Sequence, residues 1–198
     1  VVEASVLMAR DARRRRLKTL FRSAPKIKVL HFQGPISRDS PKYNRHSRIT
    51  QKESLEAIEA LVEDPPDATV LVVDSPGGSA LVSDMIWESV VRLNQKCPVV
   101  ACFQNVSASG GYYISAGCRE IVASETTITG SIGVISGKLV TGRALAKWGV
   151  HLDRIGGANG GDLLSGDRPL TSEHRRILKR RIRDIYTTFK NRVEVGRG

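Results

Sequence analysis

Two apolar runs, VLVV (70–73) and VVACF (99–103), each lead through a turn rich in small residues, glycine among them, into a stretch with helical spacing. An unbroken β-branched run reads as a strand covered on both faces, and such strands belong to parallel sheets. The segment between the runs is long enough to carry the chain back and lay the second strand parallel to the first. The predicted fold class is therefore α/β: a mainly parallel sheet with flanking helices. In such sheets, sites form at the loops beyond the carboxyl ends of the strands. Two places qualify, Ser75–Ala80 and Asn105–Tyr113.

The other elements fit the same alternation. KIKVLHFQG (26–34) reads as a strand and PISRDSPKYNRHSRIT (35–50) as a loop. Thr50 with Glu53 forms a capping-box start for a helix to about Val62, with Leu55, Ile58, Leu61 and Val62 as its apolar face. A second helix is predicted over about 81–95, with Leu81, Met85, Val90 and Leu93 on one side. A Gly-opened helix follows in ASGGYYISAG, with Ser107 a candidate cap, then a short strand in EIVAS and an extended TTITGSIGVIS. GRALAKWG (142–149) reads as a short helix, VHLDRI as a strand and 156–170 as a glycine-rich loop. A long helix over 171–193, capped by Thr171-Ser172, turns Ile177, Ile182, Ile185 and Phe189 inward.

The net charge of +11 comes from 31 basic and 20 acidic residues, but it is not spread evenly. Nine Lys and Arg lie in 1–28 and nine in 173–198, leaving thirteen basic against fifteen acidic residues between them. The excess sits on two terminal segments, either as solvated faces or as surfaces for anionic lipid or an acidic partner. No recognition motif or set of stacking aromatics accompanies it, which argues against nucleic acid. Residues 1–25 read as a basic segment, a linker or a helix from a preceding domain, and 26–198 as the folded domain. No apolar run approaches the ~20 residues of a membrane span. The chain opens with Val rather than Met and without the pattern of a secretory signal, and is read as a fragment of something longer. Cys97, Cys102 and Cys118 form no disulfide framework and no metal-ligand spacing; no metal or other cofactor is implied.

In SPGGS (75–79), Pro76 stiffens the turn, and Gly77-Gly78 lets backbone N–H groups approach and donate to a developing negative oxygen. In SASGGYY (107–113), Ser109 stands between a strand and a helix, with the Gly110 N–H beside it. That junction does the work of a nucleophile elbow without matching its glycine pattern. A serine hydroxyl needs something to take its proton. His31, His46, His151 and His174 are each read as surface or packing residues, His151 being the least implausible base. Lys138 would serve as a base if desolvated. It is not part of a phosphate loop, because Ile132 and Leu139 break that pattern.

DSPGGSALVSDMIW, NVSASGGYYISAG and TITGSIGVISGKL, in that order, resemble the signal peptide peptidase A family (protease IV, the S49 serine peptidases), from about Ile27 to the last residues. The resemblance implies a ClpP/crotonase-like α/β fold and a Ser–Lys endopeptidase that degrades cleaved signal peptides and membrane-associated peptides. It maps the nucleophile to Ser109 and the oxyanion donors to the backbone N–H groups of Gly78 and Gly110. The family's lysine should fall near Asn159, Gly160 and Gly161, where none occurs. The chain therefore resembles the carboxy-terminal, Ser-bearing half of long duplicated members, truncated before their final segment. It implies a homologous amino-terminal half that supplies the lysine, a homo-oligomer, and a place at a bacterial envelope or chloroplast thylakoid membrane. A non-catalytic scaffold half and a crotonase-like acyl-CoA enzyme are the alternatives.

Overall fold

A computed structural model describes residues 24–39, 48–151, 163 and 165–198. The basic segment 1–23, His46, the VHLDRI strand beyond His151 and the GGANGG stretch (156–161) lie outside the described residues. The chain divides into two compact units, one of 1–132 with 189–198 and the other of 133–188.

The first unit is built on a parallel sheet. Strands β1 (Ile27–Gln33), β4 (Ala68–Ser75), β5 (Val99–Ala108) and β6 (Glu120–Val122) lie in that spatial order, and β7 (Ile128–Gly130) pairs with the far end of β5. Two-residue strands β2 (Ile36–Ser37) and β3 (Ile49–Thr50) make a separate parallel ladder. Helices α1 (Gln51–Glu63), α2 (Ala80–Lys96) and α3 (Gly110–Ser115) join these strands. The α/β class and its parallel sheet are thus as the apolar runs require.

The alternation along β4 shows why it forms: Thr69, Leu71, Val73 and Ser75 are all fully buried, with partly buried residues between them. Val99 and Ala101 of β5, Ile58 of α1, Ile86, Val90 and Leu93 of α2 and Ile114 of α3 complete a core with no exposure. Full burial of each large aliphatic side chain is worth roughly 1.5–3 kcal/mol, so this cluster carries much of the folding free energy.

Several local expectations are corrected. The stripe of α2 that meets the core is Val82, Ile86, Val90 and Leu93, whereas Leu81 is 58% exposed. Both 81/85 and 82/86 are apolar pairs, and only packing on the sheet selects between neighbouring stripes. Thr50 precedes α1 without capping a backbone N–H; its hydroxyl donates to Glu53 Oε2 at 2.7 Å instead. The NVS segment is not a turn but part of β5, and Ser107 is no helix cap, since its buried hydroxyl donates to the Val73 carbonyl at 2.9 Å. Cys97, Cys102 and Cys118 are free thiols, Cys97 and Cys118 buried and Cys102 partly so.

The second unit contains α4 (Gly142–Lys147) and most of α5 (Ser172–Arg197). Thr171 Oγ1 accepts from the His174 N–H at 3.1 Å, the cap expected there. The inward stripe does not hold: Ile185 is 39% exposed, and Phe189 is the one described residue of α5 that is buried. Phe189 and the turns after it belong to the first unit. The Phe189 ring lies 4.5 Å from that of Tyr113, and Arg192 stacks 4.1 Å from the Trp87 ring centroid. Arg192 Nε and the Tyr113 hydroxyl both donate to Asp84 Oδ1, at 3.0 and 2.7 Å.

Candidate active site

The site grows from the carboxyl ends of β1, β4 and β5. Gly34 N–H donates to the Asp74 carbonyl at 2.8 Å, and the buried Ser75 hydroxyl donates to the Gly34 carbonyl at 2.7 Å. The same Ser75 oxygen accepts from Gly77 N–H at 3.1 Å, so one small side chain locks the turn that follows β4. Ile36 then brackets Gly78: Ile36 N–H donates to the Gly77 carbonyl, and Ser79 N–H to the Ile36 carbonyl, both at 2.9 Å.

Gly77 has φ +95°, and its backbone stands directly against the second loop. A Cβ on Gly77 would lie 2.6 Å from the Gly110 nitrogen and 2.8 Å from Ser109 Cβ. The two loops singled out in the sequence are therefore brought together, backbone against backbone.

Ser109 occupies φ 51°, ψ −116°, a conformation a non-glycine residue holds only when its surroundings enforce it. The enforcing bonds are clear. Ser109 N–H donates to the Gly130 carbonyl at 2.9 Å, and its own carbonyl accepts from Tyr113 N–H at 2.9 Å. The side chain is half-buried and caps nothing; among the described residues its hydroxyl has no hydrogen-bond partner. Gly78 is exposed, and neither its N–H nor that of Gly110 finds an acceptor among the described residues. A hydroxyl and two unspent donors are what an acyl-transfer site needs at its centre.

The candidate bases are divided between the two units. Lys138 belongs to the second unit, is half-buried, and donates from Nζ to the Leu163 carbonyl at 3.2 Å. His31 and His151 are exposed, and His174 lies in the first turn of α5. Two groups of the first unit titrate abnormally. Burial, reinforced by the hydrogen bond to Asp84, pushes Tyr113 upward, so its phenol stays protonated. Burial pushes the Cys118 thiol up to about 12, which makes it inert. Among the described residues, no group of three His, Cys, Asp or Glu side chains could hold a metal ion.

Sequence reasoning missed Asp74 and Asn105. Both are polar residues at the ends of buried strands, inside motifs whose glycines and serines drew the attention. Their side chains bond to each other across the strand ends, Asn105 Nδ2 donating to Asp74 Oδ2 at 3.2 Å.

The model of peptidase family S49 matches residues 92–198. The chain belongs to peptidase family S49. A protein of Synechocystis sp. is 42% identical over 148 residues, which is 75% of this chain and 53% of that protein. The chloroplastic serine protease SPPA of Arabidopsis thaliana is 32% identical over 174 residues, 86% of this chain and 26% of that one. The chain spans about half or less of the length of the relatives it matches. Among solved structures it is similar to ClpP1 from Listeria monocytogenes at a TM-score of 0.37 and 18% identity, over 46% of each chain. Among the described residues no helix is long and apolar enough to cross a membrane.

Proposed function

We propose that this chain is the nucleophile-bearing part of a serine endopeptidase that uses a Ser–Lys pair. The supporting observation is the Ser109 hydroxyl, held in strained backbone beside the N–H groups of Gly78 and Gly110, none of the three with a hydrogen-bond partner among the described residues. In this reading Ser109 Oγ bonds to the scissile carbonyl carbon while a lysine amine takes its proton. The Gly78 and Gly110 amides hold the oxygen that becomes negative. Collapse of the tetrahedral species breaks the C–N bond, and the lysine returns the proton to the departing amine. Water then cleaves the acyl-serine by the same steps.

The lysine comes from a homologous half outside these residues. Residues 26–198 form the peptidase domain, and the basic 1–25 segment with the basic α5 suits an anionic membrane surface. Its substrates are cleaved signal peptides and other membrane-associated peptides, extended and apolar enough to lie on a cleft of small residues. Assembly with that half and with further copies is supported by Ile135, Leu139 and Trp148, which are 80% exposed or more within one short stretch.

The full-length protein tests this. Ser109→Ala should cut peptide hydrolysis by several orders of magnitude without loss of folding. A fluorophosphonate should label Ser109, and Lys138→Ala should leave turnover near wild type. Retained hydrolysis in Ser109→Ala would end the proposal, and abolition by Lys138→Ala would move the base into this chain.

A further inference from the structure

The ladder between β4 and β5 is regular through Val73 opposite Phe103 and resumes with Ser75 opposite Ser107. One residue, Asp74, intervenes on β4; three, Gln104, Asn105 and Val106, intervene on β5. The strand that leads to Ser109 thus carries two extra residues just before it arrives. A bulge breaks the ladder, leaves backbone groups without their strand partners and re-aims the chain beyond it. Here the unpaired group is taken up by a side chain: Val106 N–H donates to Asp74 Oδ1 at 3.0 Å. The other oxygen, Asp74 Oδ2, accepts from Asn105 Nδ2 at 3.2 Å. Both ends of the carboxylate are therefore spent on the bulge. Its main-chain carbonyl holds Gly34 N–H, so the residue also ties β1 to the same strand end.

Three residues beyond Val106 stands Ser109, and Ser75, next to Asp74, locks the Gly77–Gly78 turn. We propose that Asp74 is a positioning residue of the reaction: by holding the bulge at Asn105–Val106, its carboxylate sets where Ser109 and the Gly110 amide stand against the glycine turn. The inference rests on the reading of Ser109 as nucleophile. Asp74 touches no reacting atom; it acts through the backbone of β5. Misplacing a reacting group by about 1 Å costs on the order of 100-fold, so a small relaxation of this bulge is enough to be read in turnover. Thr127, just before β7, and Thr129 within it support the same segment from the other side, Thr127 Oγ1 donating to the Gln104 carbonyl at 2.7 Å and Thr129 Oγ1 to the Ser107 carbonyl at 2.8 Å. Loss of Asp74 should therefore loosen the strand end without unfolding it.

The full-length protein is compared with Asp74→Ala, Asp74→Asn and Asn105→Ala for peptide hydrolysis, fluorophosphonate labelling and thermal unfolding. Asp74→Ala should lower kcat and the labelling rate by about 10- to 100-fold, with KM within about twofold. Asp74→Asn should stay within about threefold of wild type, because Oδ1 still accepts from Val106 and the Asn105 amide can turn over to accept from the new Nδ2. Wild-type kcat in Asp74→Ala would overturn the inference, as would equal losses in the Ala and Asn variants. Should Asp74→Ala not fold, Asn105→Ala carries the test: a severalfold fall in kcat at constant KM supports the role, and unchanged kcat overturns it. Ser109→Ala separates the two levels. If it stays active, the reading of the nucleophile fails; if it is dead while Asp74→Ala is fully active, only the role of Asp74 fails.

Discussion

The ends of β4 and β5 and the stretch 133–150 are both rich in glycine and aliphatic residues, yet they are treated in opposite ways. At the strand ends, Ser75 and Ser107 are fully buried and bonded, Gly77 touches the Ser109–Gly110 backbone, and the apolar residues beneath show no exposure. In 133–150, Gly133, Gly137 and Gly149 have open space where a side chain would stand, Ile135 is fully exposed, and Leu139 and Trp148 are 80% exposed. Glycine in the first region is a steric necessity; at Gly133, Gly137 and Gly149 no neighbour within the described residues requires it, and of the glycines in that stretch only Gly142 stands against another backbone, at Asp167. Apolar composition is therefore a guide to burial only when the strand ladder supplies something to bury against.

Gly77→Ala should show the sharpest effect of that difference. The new Cβ would meet the Gly110 nitrogen at 2.6 Å from a backbone at φ +95°. Hydrolysis by the full-length protein should fall about 100-fold or more, with a stability loss of about 2–4 kcal/mol. Gly137→Ala, its counterpart in the open stretch, should change neither; equal effects in denaturant titration and turnover would erase the contrast.

Leu71→Ala should come next, at about 2–5 kcal/mol of unfolding free energy, because its cavity would open in a core with no exposure. Arg192→Ala should cost less, about 1–2 kcal/mol, since it removes a half-exposed bond to Asp84 and the stack on Trp87. A cost in Arg192→Ala as large as that in Leu71→Ala would mean that the docked end of α5 is part of the main core.

Alkaline pH offers a gentler probe. The folded Cys118 thiol is held up to about 12 by burial, above the unfolded value of about 8.5. The folded state therefore keeps a proton that the unfolded chain gives up. Stability is fully present below the unfolded value and is lost as pH rises from about 9 to 12. Cys118→Ala should flatten that slope in pH-resolved unfolding, whereas an unchanged slope would assign it to other groups, Tyr113 above pH 10 among them. Smallest of all, Leu139→Ala should alter unfolding by no more than about 0.5 kcal/mol while weakening association in a sedimentation experiment.

Much of this was legible without coordinates. VLVV and VVACF could only be buried strands, and the length between them dictated a parallel return. The glycine pair after one and the Ser-Gly-Gly after the other marked the two loops that the fold brings together. What could not be read was anything decided by register. Whether Leu81 or Val82 faces inward depends on how α2 rolls against the sheet. Ile185 looked buried because its helical spacing was right, but a stripe needs a partner surface, and spacing says nothing about one.

Sequence by itself determined the alternation of strands and helices and the chemical types at two strand ends, because both follow from local pattern and side-chain identity. Only tertiary structure decided that Gly77 presses on Gly110, that Ser109 is forced to positive φ, and that Asp74 fills the gap left by two extra residues in β5. Those facts arise from strands distant in the chain meeting in one ladder, where an offset of a residue or two changes which groups remain unpaired.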